Sequence, residues 1–273
     1  MSIHDHGTPT ESYGVMTPDG AELLAMGGTG AIFTHLDSPH EAIKLPYCTQ
    51  SSTDNIEIEK RIYRRLGAHP NIIGCLRIDE KAIYLERAKY GSIRQYYREG
   101  GTATLRERIT WSQDLAKVLH YIHEKGVRHV DIGGRNILLD ANRDIRVCDF
   151  AGSAIDDVRP TVVAEDGFQH PDVSKNATIQ AEIHALGSAI FELMTFTLPH
   201  WREEGKVEGM AATLLREGKY PDVTDVVLGN VITKCWKGEF TSAHEVADSI
   251  NSKVRAIGVS AISLISNQCS NHR

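Results

Sequence analysis

The chain has 273 residues, 41% of them hydrophobic and 24% charged, which is the composition of a globular protein able to bury a large core. A formal charge of −6 with scattered Lys and Arg argues against a surface for nucleic acid or anionic membrane. Five cysteines without a C-x-x-C pair predict free thiols in a reducing compartment, and no segment reaches the roughly 20 apolar residues that span a bilayer. We therefore expect a soluble, cytoplasmic monomer.

The first part of the chain predicts a tail followed by a small β-rich unit. Residues 1–18, rich in Thr, His and Gly, are typical of a mobile tail. Next comes AMGGTGAIF, starting at Ala25, whose glycines let backbone N–H groups approach a phosphate closely. Short β-branched runs around a single helical pattern then predict an antiparallel sheet.

That helical pattern is NIEIEKRIYRRLG, which begins at Asn55 and repeats Ile58, Ile62 and Leu66 every four residues before Gly67 ends it. Four basic residues on this helix are expected to form a solvated face: Lys60, Arg61, Arg64 and Arg65. Farther along, a strand pattern runs into a turn, and three helical patterns predict a mainly α-helical remainder: TWSQDLAKVLHYIHEKG, IHALGSAIFELMT and VLGNVITKCW.

The stretch from His129 to Phe150 reads HVDIGGRNILLDANRDIRVCDF and carries the most informative chemistry of the sequence. Asp131 and Asn136 lie five residues apart in a Gly-containing turn, and two short apolar strands then lead to Asp149. Transfer of a phosphoryl group from ATP requires a base that orients the attacking hydroxyl and Mg²⁺ that neutralises oxygens gaining charge. Asp131 fits the base, while Asn136 and Asp149 supply the hard oxygen donors that Mg²⁺ prefers.

Together with AMGGTGAIF and the strand Ala42-Ile43-Lys44, this stretch resembles the eukaryotic protein kinase family, and in particular its short, divergent fungal members. The resemblance implies an α+β fold with two lobes, the first a small antiparallel β-sheet with one helix and the second mainly α-helical. It divides the chain into four parts: an N-terminal tail at 1–18, an N-lobe at 19–88, a C-lobe at 89–256 and a C-terminal tail at 257–273.

The resemblance also implies roles for individual residues. Lys44 would contact the α- and β-phosphates of ATP, held by an ion pair with Glu59, for which Glu57 is the alternative. Asp131 would be the catalytic base, and Arg135 a cation for the transferred phosphate. The resemblance implies that ATP is bound by Gly27, Gly28, Gly30, Ala42, Lys44, Glu86, Ala88 and Leu138, and Mg²⁺ by Asn136 and Asp149.

Six positions depart from the family pattern: Ala25, Val130, Gly133, Ala151, Asp172 and Glu182. Val130 replaces the arginine that receives an activation-loop phosphate, so we expect no dependence on that phosphorylation. Gly133 replaces the catalytic-loop lysine of serine/threonine kinases, whereas Arg135 matches the tyrosine-kinase pattern Asp-Leu-Ala-Ala-Arg-Asn. Asp172 stands at the glutamate of the family's Ala-Pro-Glu segment without a matching arginine, which predicts a looser substrate platform.

Two residue groups are expected around the site. By resemblance, the rings of His129, Phe150 and Tyr63 stack in one column beneath it. Four acids near the expected substrate face are compatible with basic targets and equally with a solvated loop: Asp156, Asp157, Glu165 and Asp166.

The leading hypothesis is an ATP- and Mg²⁺-dependent protein kinase that transfers the γ-phosphoryl group to Ser or Thr hydroxyls of a protein substrate, with Tyr kept open by Arg135. One alternative is a pseudokinase, which keeps the fold and acts as a nucleotide-binding or scaffold module. Another is a small-molecule phosphotransferase, although the segment from Phe168 to Asp172 favours a protein substrate.

Overall fold

The computed structural model describes residues 14, 15, 17–200 and 209–270, with side chains described up to residue 256. The elements of its N-lobe are β1 (Ala21–Met26), β2 (Gly30–His35), β3 (Ser38–Pro46), α1 (Gln50–Leu66), β4 (Cys75–Ile78) and β5 (Ile83–Glu86). The strands form a five-stranded sheet in the order β1-β2-β3-β5-β4, with every neighbouring pair antiparallel. This is the small antiparallel sheet with one helix that the sequence predicts.

The Gly-rich turn closes the hairpin of β1 and β2. The amide N–H of Gly27 donates to the carbonyl of Gly30 at 2.9 Å. A Cβ atom on Gly30 would lie 2.2 Å from the carbonyl oxygen of Leu45 on β3, so only glycine allows the two strands to approach this closely. β3 then places Lys44 opposite Ile83 of β5, in the middle of the sheet.

Helix α1 differs from its prediction at its start and on its basic face. It begins at Gln50 rather than Asn55, because the Thr49 side chain accepts the Ser52 amide N–H at 3.2 Å and caps the helix. The prediction of a solvated basic face is wrong for Lys60, which is only 2% exposed. Its ammonium is enclosed because it lies 2.6 Å from the Glu57 carboxylate and donates to the Glu80 carbonyl at 2.7 Å.

The C-lobe is mainly helical, as predicted. Its helices are α2 (Ile93–Arg98), α3 (Leu105–Glu124), α4 (Ile179–Thr195), α5 (Met210–Arg216), α6 (Gly229–Trp236) and α7 (Ala243–Ser270). Its short strands are β6 (Val127–Arg128), β7 (Ile137–Leu139), β8 (Ile145–Val147) and β9 (Ala154–Ile155), paired as β6–β9 and β7–β8. Within the ranges given above, no helix is both long and apolar enough to cross a bilayer.

Helix α4 is the buried axis of this lobe. Its residues from Glu182 to Met194 are all buried, and it packs against α3 and α6. The main hydrophobic core continues from these helices through the β7–β8 hairpin to the inner side of α1. The hairpin predicted between Asn136 and Asp149 is therefore supported from below by the apolar core, and its loops face the other lobe.

The two predicted tails lie largely at the edges of the described residues. Residues 1–13 and 271–273 fall outside them. The Gly14 carbonyl accepts the Cys48 amide N–H at 2.8 Å, and Val15 packs against a small core cluster of the N-lobe sheet. At the other end, α7 continues past residue 256 as far as Ser270.

Candidate active site

A cleft of about 1260 Å³ lies between the N-lobe sheet and the β7–β8 hairpin. Its lining combines the Gly-rich turn, β3, the linker after β5 and the two loops that flank the hairpin. Every residue that the sequence proposes for the site lines this one cleft: Gly27, Gly28, Gly30, Ala42, Lys44, Glu59, Glu86, Ala88, Asp131, Arg135, Asn136, Leu138 and Asp149.

Lys44 lies where three elements meet in the cleft. Its Nζ is 2.5 Å from Glu59 Oε2 on α1 and 2.6 Å from Asp149 Oδ1 in the loop after β8. The other Glu59 oxygen accepts the Phe150 amide N–H at 3.0 Å. Glu57 pairs with Lys60 instead, so the structure brings Glu59 and not Glu57 to Lys44. This network joins β3, α1 and the loop of Asp149.

Burial and the neighbouring charges shift the pKa values of Lys44 and Asp149 in opposite directions. Burial alone would lower the pKa of Lys44, but the carboxylates of Asp149 and Glu59 outweigh it and raise that pKa above its ordinary value. Burial would raise the pKa of Asp149, and the Lys44 ammonium outweighs it, so that pKa is lowered. The site therefore holds a cation and an anion in contact at neutral pH. Beside them, burial raises the pKa of the Cys148 thiol and keeps it protonated.

Asp131 lies at the start of the loop before β7. Arg135 Nη2 donates to both of its carboxylate oxygens, at 2.6 and 2.8 Å. Asn136 Nδ2 donates to the Asp131 carbonyl and to its Oδ2, both at 2.9 Å. The Asn136 carbonyl in turn accepts the Cys148 amide N–H at 3.0 Å, which ties this loop to the one carrying Asp149. The side-chain nitrogen of Asn136 is therefore occupied by hydrogen bonds. Its side-chain oxygen is the atom suited to bind a metal.

The backbone just before Asp131 is strained and is held from α4. Val130 has φ = 71°, a left-handed conformation that β-branched residues rarely adopt. Its N–H donates to Glu182 Oε1 at 2.5 Å, and the other Glu182 oxygen lies 2.5 Å from His123 Nε2 on α3. Although Glu182 departs from the family aspartate, its carboxylate reaches the loop and supports the strained backbone.

The predicted ring column is present beneath the site. The ring centroids of His129 and Phe150 are 5.0 Å apart, and those of Phe150 and Tyr63 are 5.4 Å apart. His129 Nε2 donates to the Cys148 carbonyl at 2.9 Å, while its Nδ1 accepts the Asp131 amide N–H at 3.3 Å. The column therefore connects α1, the loop of Asp149 and the loop of Asp131 through buried contacts.

The linker after β5 is fixed to both lobes. The Glu86 amide N–H donates to the Gly74 carbonyl at 2.8 Å. A Cβ atom on Gly74 would lie 2.5 Å from the Glu86 carboxyl carbon, so glycine makes room for that side chain. On the C-lobe side, Leu139 N–H donates to the Gly91 carbonyl at 2.9 Å, and Tyr90 N–H donates to the Leu139 carbonyl at 3.1 Å. The back wall of the cleft is therefore a defined surface.

We call the chain from Asp149 to Asp172 the activation segment. Besides the contacts of Phe150 with Glu59 and Tyr63, two further residues of this segment bind α1. Asp156 accepts hydrogen bonds from Arg65 at 3.1 and 3.0 Å and lies 3.6 Å from Arg61. Thr161 Oγ1 donates to Asn55 Oδ1 at 2.6 Å. Arg61 and Arg65 are 50% and 42% exposed, so the predicted solvated face is confirmed for them, and they also pair with Asp156.

Its second half is attached to the C-lobe. Glu165 Oε2 lies 2.6 Å from Arg94 Nη1 of α2. Asp166 accepts the amide N–H groups of Gly209 and Ala212 at 3.1 and 2.7 Å. With Asp156, three of the four acids that the sequence analysis named near the substrate face have partners within the chain, and Glu165 is largely buried. Asp157 is exposed.

Asp172 makes its side-chain hydrogen bonds to a residue two positions along the chain. Its exposed carboxylate accepts the Ser174 amide N–H at 3.0 Å and the Ser174 hydroxyl at 2.6 Å. It thereby caps a short 3-10 turn at Val173–Lys175.

Three residues important to this site were missed by the sequence reasoning. Tyr47 Oη donates to the Gly27 carbonyl of the Gly-rich turn at 2.7 Å. Arg94 on α2 and Glu192 on α4 form a buried ion pair beside the loop of Asp131. A signal existed for Glu192, because an acid inside the apolar pattern IHALGSAIFELMT requires a buried partner. Tyr47 and Arg94 offered no comparable signal.

The donor set fits Mg²⁺-ATP. An amide oxygen and a carboxylate, from Asn136 and Asp149, are the hard ligands that Mg²⁺ takes from protein. Lys44 adds a fixed positive charge, and the Gly-rich turn adds backbone N–H groups suited to phosphate oxygens.

Comparison with known proteins agrees with this geometry. The family model described as "Protein kinase domain" matches residues 26–250. Similar proteins include a salt tolerance receptor-like cytoplasmic kinase 1 of Oryza sativa subsp. japonica, 30% identical over 59% of this chain and 52% of its own. An Aurora kinase of Dictyostelium discoideum is 28% identical over 69% of this chain and 53% of its own.

A third relative covers more of the chain. The serine/threonine-protein kinase STY17 of Arabidopsis thaliana is 23% identical over 86% of this chain and 44% of its own. The chain thus spans about half the length of the curated relatives it matches. Since the family model covers most of the chain and the fold has the two expected lobes, the chain belongs to the protein kinase family.

Proposed function

We propose that this chain transfers the γ-phosphoryl group of ATP to a hydroxyl of a protein substrate. The observation that carries the proposal is the buried contact of Lys44 with Glu59 and Asp149, in the cleft that also holds Asp131 and Asn136. Ser and Thr are the proposed acceptors, because several relatives are named as serine/threonine kinases. Arg135 keeps Tyr as an acceptor to be tested.

The N-lobe side of the cleft would bind the nucleotide. Lys44 would contact the α- and β-phosphates, while N–H groups of the Gly-rich turn contact phosphate oxygens. The adenine ring would lie between the apolar side chains of Ala42 and Leu138 and hydrogen-bond to backbone groups of Glu86 and Ala88. Asn136 and Asp149 would hold Mg²⁺, which neutralises the phosphate oxygens when bound.

The C-lobe side would orient the acceptor. The acceptor hydroxyl donates to the Asp131 carboxylate, its oxygen forms the bond to the γ-phosphorus, the bond to the ADP oxygen breaks, and the proton passes to Asp131. Arg135, in contact with Asp131, places a cation beside the transferred phosphoryl group. A kinase of this type turns over at roughly 1 to 100 s⁻¹.

The proposal is tested by incubating the purified protein with labelled ATP and Mg²⁺ over an array of Ser, Thr and Tyr peptides. The variant Asp131→Asn should lose roughly 10²-fold or more of the transfer rate. The matched control is Asp222→Asn, because Asp222 is an exposed acid that caps Thr224 in a turn of the C-lobe. The control should transfer at the wild-type rate.

Each outcome distinguishes the candidate functions. Transfer to peptides that is lost in Asp131→Asn supports the protein kinase and identifies its acceptor. A folded protein that binds ATP but labels no peptide would remove the proposal in favour of a pseudokinase. Transfer to small hydroxyl compounds but not to peptides would assign a small-molecule phosphotransferase.

A further inference from the structure

Arg94, the second residue of α2, joins two other parts of the C-lobe. Its Nε and Nη2 donate to the two carboxylate oxygens of Glu192 on α4, at 2.6 and 3.0 Å. Its Nη1 donates to Glu165 Oε2 of the activation segment at 2.6 Å. Its guanidinium carbon also lies 5.9 Å from the ring centroid of Phe168, in the same segment. One guanidinium group thus holds two carboxylates in a fixed fork, which a lysine could not do.

The same cluster reaches the loop of Asp131. The Gly134 amide N–H donates to Glu192 Oε2 at 2.8 Å, and the Arg94 amide N–H donates to the Gly134 carbonyl at 3.1 Å. A Cβ atom on Gly134 would lie 2.5 Å from Glu192 Oε1, so only glycine lets the carboxylate come this close. A Cβ atom on Gly133 would already touch Phe168 at 3.4 Å. The cluster therefore accounts for glycine at position 134, whereas a Cβ atom at position 133 would make an ordinary contact.

Burial separates this cluster from the attachment of the activation segment to α1 through Asp156. The side chains of Arg94, Glu165 and Glu192 are 11%, 14% and 3% exposed. Asp156 and Arg65, which attach the first half to α1, are 44% and 42% exposed. Exposed pairs are weakened by water and salt, whereas removal of one partner from a buried pair is costly. The Arg94 cluster is therefore a stronger attachment than the Asp156–Arg65 pair.

The charge of this cluster is permanent. Burial alone would lower the pKa of Arg94, but Glu192 and Glu165 outweigh it and raise that pKa above its ordinary value. Val130, in contrast, offers no cation at the position where the family receives an activation-loop phosphate.

We propose that Arg94 is a positioning residue that holds the activation segment on the loop of Asp131 through Glu165 and Glu192, so that the segment is ordered without phosphorylation. Glu165 supplies a carboxylate that the chain itself encodes, and Arg94 is its partner. The kinetic consequence rests on the proposed kinase function, whereas the ordering of the segment can be measured whether or not the protein transfers phosphate.

The central test is hydrogen exchange of residues 161–168 in phosphatase-treated protein, measured by mass spectrometry. We expect slow exchange in the wild type and exchange about tenfold faster or more in Glu165→Gln, because a charged hydrogen bond is lost. Arg94→Lys should have an intermediate effect, since one ammonium cannot serve both carboxylates in a fixed geometry. The control is Glu217→Gln, because Glu217 is also paired, with Lys219 at 2.8 Å, but lies exposed and far along the chain.

The KM values for peptide and for ATP distinguish a positioning role of Arg94 from a purely structural role, which would not change one of them alone. Glu165→Gln should raise the KM for the peptide about tenfold and leave the KM for ATP within about twofold, because the Lys44 side of the cleft is untouched. Gly134→Ala should likewise raise the KM for the peptide and leave the KM for ATP unchanged, since it displaces Glu192 from the loop of Asp131.

Three results would overturn the inference. One is a wild-type protein whose segment 161–168 exchanges fast after phosphatase treatment and slowly before it. Another is exchange in Glu165→Gln that rises equally in both lobes, or not at all. The last is an equal rise of both KM values. If the wild type binds ATP but transfers none, the proposed function fails, and the exchange experiment still decides whether Arg94 orders the segment.

Discussion

The nucleotide side of the cleft and its substrate side are built from different kinds of contact. On the nucleotide side, Lys44 contacts both Glu59 and Asp149 directly. On the substrate side, Val130 and Gly133 replace family residues. There, the support comes from groups elsewhere in the C-lobe, above all from Glu182, Arg94 and Glu192.

The difference follows from what each side must hold. Phosphate and Mg²⁺ demand a defined set of charges and oxygen donors in a fixed geometry, so few residues can substitute for Lys44 or Asp149. Ordering a protein segment does not require particular residues, because any well-buried ion pair with good geometry can hold the segment in place. The support of the substrate side can therefore come from residues distant in the chain, as it does here from Arg94 and Glu192.

The largest effect is expected from breaking the nucleotide side with Lys44→Met. The substitution leaves the Glu59 carboxylate buried, and the partly exposed Asp149 carboxylate, without their cation. The loss at the buried Glu59 costs about 3 to 5 kcal/mol of unfolding free energy. The substitution also removes the phosphate ligand, so transfer should fall by about 10³-fold or more. Urea unfolding and labelled-ATP transfer measure the two effects.

The double variant Lys44→Met/Glu59→Gln separates the effect on stability from the effect on transfer. Removing the Glu59 charge should restore part of the unfolding free energy, because fewer like charges remain buried, but it should restore no transfer. Single and double variants of equal stability would show that the Lys44–Glu59 pair is energetically unimportant.

A smaller effect is expected from pH on the substrate side, through His184. This buried histidine of α4 has its Nδ1 3.4 Å from the Phe168 carbonyl, and its ring faces those of His170 and Tyr220. Burial, reinforced by His170, lowers the pKa of His184 from 6.5 to about 4. Below pH 6.5 the unfolded chain takes up the proton first, so His184 should reduce the unfolding free energy progressively between pH 6.5 and 4, by about 3 kcal/mol in total.

The variant His184→Phe isolates this contribution. It should flatten the fall of the unfolding free energy between pH 6.5 and 4 relative to the wild type. Replacement of an exposed histidine by His244→Phe should leave the wild-type profile unchanged. Parallel profiles for the wild type and His184→Phe would show that protonation of His184 does not oppose folding.

The fold and the nucleotide side could be predicted because their signals are local. Apolar periodicity predicted the helices, the chemistry of phosphate transfer indicated Asn136 and Asp149, and the family resemblance indicated Lys44. The start of α1 was placed too late because its first turn, from Gln50, is polar and depends on the Thr49 cap.

The substrate side could be predicted only in part, because its contacts join distant residues. Arg94 meets Glu165 across 71 positions and Glu192 across 98. Nothing in the spacing of one sequence brings these residues together, and a charge on a helix looks the same whether it faces water or a partner. Lys60 shows the same limit, since its enclosure comes from the Glu80 carbonyl, 20 positions away.

The smallest effect is expected from Tyr47→Phe, which tests whether the Gly-rich turn depends on a hydrogen bond from outside the turn. Tyr47, which is 4% exposed, donates its hydroxyl to the Gly27 carbonyl at 2.7 Å. Tyr47→Phe removes this hydrogen bond and keeps the ring, at a cost of about 1 kcal/mol. If the bond orients the N–H groups of the turn for phosphate, the KM for ATP should rise about fivefold, with kcat and the peptide KM unchanged. An unchanged KM for ATP together with a lower unfolding free energy would mean that Tyr47 stabilises the N-lobe without ordering the turn. The orientation of the Gly-rich turn would then not depend on Tyr47.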